Sequence, residues 1–213
     1  MAINDFTPQE HEWIKSARTM AQEAGRVLKN YFRRRDLSIE DKGSAFDIVT
    51  EADKASERII LDHLHHHFPD HAILSEESGD DHRQARCQWV IDPLDGTVNY
   101  SAGIATYCIS IGLKVDGETR MGYVYAPTLN EEFYAIKGKG AFGPYGQLRV
   151  KSTAELQRAV ISTGFPYDKA TNPDNNLDRF SRLCPASGEY AASARQPWTC
   201  AMSLPGGSTA TGN

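Results

Sequence analysis

The sequence predicts a mixed α+β fold, a largely antiparallel sheet flanked by long helices. Three observations lead there. Apolar residues recur at helical spacing over two long segments near the N-terminus. The period changes to two from Tyr107, where Tyr107, Ile109, Ile111, Leu113 and Val115 alternate with Cys108, Ser110, Gly112 and Lys114. Between these regions lie two short apolar runs, each ending in carboxylates. At 213 residues the chain is long enough for one large domain or two small ones with an apolar core. The net charge of −5 argues against nucleic acid as the main partner, because phosphate backbones reward a basic face. It leaves an anionic small substrate open, since a bound metal inverts the local field. Four cysteines without paired or metal-type spacing suggest a reducing, cytoplasmic compartment. No leader-like N-terminus and no apolar run of spanning length is seen, so no membrane association is expected.

The elements follow in order. Thr7-Pro8-Gln9-Glu10 reads as a capping box, and Ile14, Ala17, Ala21, Ala24, Leu28 and Phe32 form the stripe of a first helix. Arg33, Arg34 and Arg35 close it, a solvated helix end rather than a nucleic-acid patch. A second capping box, Thr50-Glu51-Ala52-Asp53, opens a helix with the stripe Ala52, Ala55, Ile59, Ile60 and Leu64, ended by Pro69. Ala72–Ser75 is a buried strand that delivers Glu76 and Glu77, and "CQWVID" another that delivers Asp92. Asp116-Gly117 is a hairpin turn between antiparallel strands. Gly138, Gly140, Gly143 and Gly146 mark an irregular loop. A short helical piece around Ala154–Gln157 and the strand "AVISTGF" begin a second unit.

Asp47, Asp53, Glu76, Glu77, Asp92 and Asp95 all stand at strand ends or helix starts. Each has a plain reading alone: Asp53 a helix cap, Asp95-Gly96 a turn, Glu76 and Glu77 an exposed strand end. Together they repel one another, and a hard divalent cation with oxygen ligands relieves that repulsion. Pro93 and Gly96 bend the chain so that Asp92 and Asp95 bracket an ion, with the Leu94 carbonyl in the same turn. His63, His65, His66, His67 and His71 allow a zinc reading, but consecutive histidines diverge around a helix and no cysteine joins them, so a solvated helix end is preferred. No GxSxG elbow, CxxC or P-loop is present.

"DPLDGTVN" resembles the DPxDGTxN signature of the inositol monophosphatase family, which is magnesium-dependent and lithium-inhibited. "DIVTEAD" (Asp47–Asp53) resembles its upstream segment, "SEES" its glutamate motif with Ser75 in place of Gly, and "ISTGFPYD" a segment of bacterial members. The resemblance implies a layered αβαβα sandwich, with an antiparallel N-terminal sheet and a parallel C-terminal half that is incomplete here. It implies that Glu76, Asp92 and the Leu94 carbonyl hold one Mg²⁺, that Asp92 bridges to a second bound by Asp95, and that Glu76 helps hold a third. It also implies that Thr97 bonds Asp47 and orients the attacking water, which makes Asp47, Glu76 and Thr97 the catalytic set. By the same resemblance Asp95, Gly96 and Thr97 would contact the substrate, helped by the start of the following helix, and Lys42 and Glu77 would give electrostatic support. Inositol monophosphate or another small polyol phosphate is the implied substrate. The alternatives are histidinol phosphate, fructose 1,6-bisphosphate, a 3′-phosphonucleotide, or an inactive metal-binding module or pseudogene product.

Family members usually continue with a Gly-Ser-Ala-rich segment, a substrate-binding glutamate, and a Trp-Asp pair that completes the second metal site. The tail Cys184–Asn213 resembles none of these. It contains no Ile or Val, and Met202 and Leu204 are its large aliphatics. Codons for Ser193–Ser203 exist that, read two nucleotides on, give Gly-Ser-Ala-Ala-Leu. The expectation is therefore a truncated member with a frameshifted, disordered tail that builds no parallel sheet. Its domains are 1–150, a metal-binding unit, 151–183, the start of a second α/β unit, and 184–213, the tail. Impaired activity is expected, and the homodimer common in the family is not expected of such a chain.

Overall fold

The structure, a computed structural model, describes residues 6–34, 39–44, 47–150, 155, 160–163, 165, 170–184, 189–192 and 208–211, with the backbone alone at 39–44, 47–49, 160–162, 189–192 and 208–211. Contacts divide the chain into two units, Met1–Gln147 and Leu148–Asn213.

In the first unit, α1 (Pro8–Tyr31) begins at the capping box: Glu10 N donates to Thr7 Oγ1 at 3.2 Å, and Thr7 N to Glu10 Oε2 at 2.6 Å. Its buried stripe is Trp13, Ile14, Ala17, Met20, Ala21, Ala24 and Leu28. Phe32 falls just past the helix end and packs on Tyr100 and Tyr107. Strands β1 (Ile39–Ser44) and β2 (Asp47–Thr50) pair antiparallel, and α2 (Glu51–His67) follows β2 directly, with Thr50 as its cap. The buried face of α2 departs from the expected stripe. Ala55 and Ile59 are half-buried, whereas Asp53, Ser56 and Glu57 lie inside with Ala52, Ile60 and Leu64. Polar side chains with buried partners are invisible to a search for apolar periodicity.

The main sheet comprises β3 (Ala72–Ser75), β4 (Gly79–Asp80), β5 (Cys87–Asp95), β6 (Cys108–Val115), β7 (Glu118–Ala126), β8 (Glu131–Ile136), β9 (Gly140–Gly143) and β10 (Gly146–Gln147), in the order β10-β9-β8-β7-β6-β5-β3-β4. The pair β3–β5 is parallel and the other pairs are antiparallel. The helix α3 (Thr97–Ser101) leaves the end of β5. Asp116 and Gly117, at φ 54° and 77°, make the β6–β7 turn, as two positive φ values in a two-residue hairpin require. The glycine-rich segment, expected as an irregular loop, is instead strands β9 and β10. Its glycines supply positive φ at the bends, 78° at Gly138 and 105° at Gly146, while the residues between them pair. Trp89, Ile91, Ile109, Ile111, Leu113, Met121 and Tyr123 form the sheet side of the core, against α1 and α2.

The second unit contains α4 (Leu177–Leu183) and a parallel sheet β12-β11-β13, made of β11 (Val160–Thr163), β12 (Glu189–Ala192) and β13 (Ser208–Thr211). Two of these strands come from the tail for which no sheet was expected. Backbone hydrogen bonds can add two such short strands to β11 without any Ile or Val of their own. Residues 193–207, with the codon argument, and most of Ala154–Gln157 lie outside the described residues. Among the described residues no helix is long and apolar enough to cross a membrane.

At Gly25 α1 lies close to the sheet: a Cβ there would lie 2.7 Å from Tyr125 Cε1 and 3.1 Å from Pro127 Cγ. The Tyr125 ring is buried and its hydroxyl donates to Asn130 Oδ1 at 3.0 Å, so it does not swing away freely. Alanine gains about 1 kcal/mol of helix propensity but overpacks the site by about 1–3 kcal/mol. Gly25→Ala should therefore lower stability by about 1 kcal/mol in urea denaturation. A gain in stability would show that the helix stands off the sheet.

Candidate metal centre

Two carboxylates reach one face of β5 through a bulge. Asp92 pairs with Ser110 of β6 and Asp95 with Cys108, so three steps along β5 match two along β6. On an unbulged strand, residues three apart point to opposite faces. The extra residue at Pro93-Leu94 puts both aspartates opposite positions two apart, which share a face. A third carboxylate comes from the parallel neighbour. Ser75 of β3 is level with Ile91, and Glu76 N continues the ladder by donating to Ile91 O at 3.0 Å. That places Glu76 beside Asp92, with which it shares a hydrogen bond.

Crowding and burial change the chemistry of these groups. Asp92 is pushed far above the usual carboxylate range, by withdrawal from water first and then by the charges of Asp95 and Glu76. Asp95 is pushed up to about 7, again by burial first; a hydrogen bond from Cys108 Sγ, 3.6 Å from Oδ2, opposes the rise and the charge of Glu76 adds to it. Leu94 is buried with its side chain in the core. Its carbonyl lies 3.0 Å from Thr97 Oγ1, and its N–H donates to Asp92 Oδ1 at 3.2 Å.

Among the described residues the Thr97 hydroxyl donates to Asp53 Oδ1 at 3.0 Å; the side chain of Asp47, its expected partner, lies outside the described residues. Asp53 reaches Thr97 for a local reason. The capping box turns Asp53 back over the start of α2, where Oδ2 accepts from Thr50 N at 2.9 Å and from the Thr50 hydroxyl. Oδ1 is left facing α3. Asp53 is 1% exposed, and its burial holds it above the ordinary range against the hydrogen bonds from Thr50 and Thr97. Its identity as more than a cap was signalled by its place at the end of the Asp47–Asp53 segment. Gly96 (φ 97°) turns the chain into α3. Lys42 lies on β1, its side chain outside the described residues, and Glu77 is half-buried in the β3–β4 turn.

The donor set of Glu76, Asp92, Asp95 and the Leu94 carbonyl is all oxygen, which suits a hard divalent cation such as Mg²⁺ and not zinc. Among the described residues, however, no three His, Cys, Asp or Glu side chains converge as a finished cage. The histidines have other surroundings: His71 Nδ1 accepts from Trp89 Nε1 at 3.0 Å, and His65, His66 and His67 are exposed.

A family model described as the inositol monophosphatase family matches residues 9–202. The chain belongs to this family. A relative named Nus factor SuhB, from Pasteurella multocida, is 44% identical over 149 residues, 69% of this chain and 55% of that one. The chain spans little more than half the length of such curated relatives. The solved inositol monophosphatase of Anabaena is similar over 86% of this chain and 67% of that one, with 36% identity and a TM-score of 0.74. A solved IMPase/NADP phosphatase in complex with Mg²⁺ and phosphate is similar at 27% identity and a TM-score of 0.69, over 86% of this chain and 66% of that one. The N-terminal unit thus carries the inositol monophosphatase fold.

The shifts fix a pH dependence. Folded Asp92, Asp95 and Asp53 hold protons more tightly than the unfolded chain does. Their contribution to stability is complete below about pH 4 and is lost as pH rises, through about 7 for Asp95 and higher for Asp92. In chelator the melting temperature should fall from pH 5.5 to pH 9, and millimolar Mg²⁺ should raise it more at pH 9 than at pH 5.5. A Mg²⁺ effect that is equal at both values would contradict the assignment.

Proposed function

We propose that the protein is a Mg²⁺-dependent phosphomonoesterase acting on inositol monophosphate or a similar small polyol phosphate. The observation that carries this reading is the juxtaposition of three crowded carboxylates with the Thr97–Asp53 pair at one strand end. A phosphate monoester is dianionic and would be repelled by Glu76, Asp92 and Asp95 alone. Glu76, Asp92, Asp95 and the Leu94 carbonyl would hold divalent cations, which when bound would supply the neutralising charge, acidify the attacking water and stabilise the leaving oxygen. The chain's own groups do the rest. The Thr97 proton has two acceptors at 3.0 Å, Asp53 Oδ1 and the Leu94 carbonyl, so the Thr97 oxygen keeps a lone pair to accept from a water and turn a lone pair of that water towards phosphorus. The N–H groups at the start of α3 have no intrahelical acceptors and are open to a phosphate oxygen. Membership of the family and the Mg²⁺ and phosphate in the solved relative support the reading.

The similarity to a Nus factor supports a second reading, a protein factor with this fold. Turnover separates the two. Phosphate release in millimolar Mg²⁺ should be highest with inositol 1-phosphate in a panel with histidinol phosphate, fructose 1,6-bisphosphate and a 3′-phosphonucleotide. Asp92→Asn should bring it to background. Thr97→Ala and Asp53→Asn should each lower kcat about 10²-fold, and the double variant little further, because the two act as one unit. Mg²⁺ binding without release from any ester would favour the factor.

A further inference from the structure

Helix α2 presents three buried polar residues, Asp53, Ser56 and Glu57, at spacings of three and four that share one helical face. Each reaches a different segment of the site. Asp53 holds Thr97. Ser56 Oγ donates to the Pro93 carbonyl at 2.7 Å, and Glu57 Oε1 accepts from Ser78 N at 2.9 Å. Ser56 is 0% and Glu57 8% exposed. Pro93 is the bulge residue between Asp92 and Asp95, and Ser78 lies two residues after Glu76 in the β3–β4 turn. These are the two stretches whose spacing decides whether Glu76 and the aspartates can share an ion.

We propose that Ser56 and Glu57 are positioning residues, which clamp the two carboxylate-bearing segments to one rigid helix and so set the affinity for a divalent cation. The proposal rests on the metal reading given above. The bulge interrupts the β5–β6 ladder at Pro93, and a donor from the helix satisfies the carbonyl there. The Ser78 N–H stands in a turn, and a buried carboxylate gives it a fixed acceptor. A helix is a better ruler than a loop because its residues are held at fixed rise and rotation. Groups behind the ligands commonly change metal affinity by about 10–100-fold.

The test uses the full chain, Mg²⁺ titration calorimetry, and hydrogen exchange of the Ser78 amide by NMR. Glu57→Leu should weaken Mg²⁺ binding about tenfold and expose the Ser78 amide. Glu57→Gln keeps the acceptor and should restore both. Ser56→Ala should also weaken Mg²⁺ binding, without exposing Ser78. Wild-type affinity in Glu57→Leu, or a Gln variant as weak as the Leu variant, would overturn the proposal, since a purely structural or purely electrostatic role would remain. Should Glu57→Leu fail to fold, Ser56→Ala decides: unchanged affinity overturns the clamp. No Mg²⁺ binding by the wild-type chain overturns the metal reading itself and the clamp with it.

Discussion

Three carboxylates stand where two parallel strands end, the two aspartates withdrawn from water, Glu76 exposed beside them, and its charge within reach of both. Such an arrangement is unfavourable for a folded chain, and it persists only if the surrounding structure over-determines it. The surroundings do so here. The β5 bulge brings Asp92 and Asp95 to one face. The parallel ladder brings Glu76 alongside. Both aspartates then retain protons that an exposed carboxyl would have lost. On the proposed reading a divalent cation would convert this destabilised cluster into a favourable one, so the affinity for the ion and the repulsion among the carboxylates are two sides of one arrangement.

The remainder of the first unit serves as a frame. Trp89, Ile109, Ile111 and Leu113 are fully or nearly fully buried beneath α1 and α2, which anchors the strands on which the acids stand. α2 has a double role. Ala52, Ile60 and Leu64 seat it in the core, and Asp53, Ser56 and Glu57 on the same side reach the backbone and side chains of the site. Packing therefore determines the geometry of the polar contacts: a shift of α2 that disturbed the core would also move every segment it holds. The Tyr100 hydroxyl, bonded to the Leu28 carbonyl, joins α3 to α1 in the same way.

Much of this was legible in the sequence because it depends on local chemistry. The capping boxes at Thr7 and Thr50 fixed where both long helices begin, and both are present. Alternation from Tyr107 gave the antiparallel strands. The acids at the ends of β3 and β5 were visible as a set. What was not legible depended on partners distant in the chain. Asp53 reads as a cap in a local window, and only the fold brings Thr97, 44 positions away, to its other oxygen. Ser56 and Glu57 are polar, so apolar periodicity does not mark them as buried. The glycines after Ile136 look like a loop because the turn signal is strong and the strands between are short.

The most direct test of the central claim is the number of protons released when Mg²⁺ binds, measured by calorimetry at pH 7 in buffers of different ionisation enthalpy. If Asp92 and Asp95 are held protonated by burial and mutual repulsion and then ligate the ion, between one and two protons should leave at pH 7, falling towards none at strongly alkaline pH. Tight binding with no proton release at pH 7 would mean that the ion is held elsewhere, and the account of the site would fail.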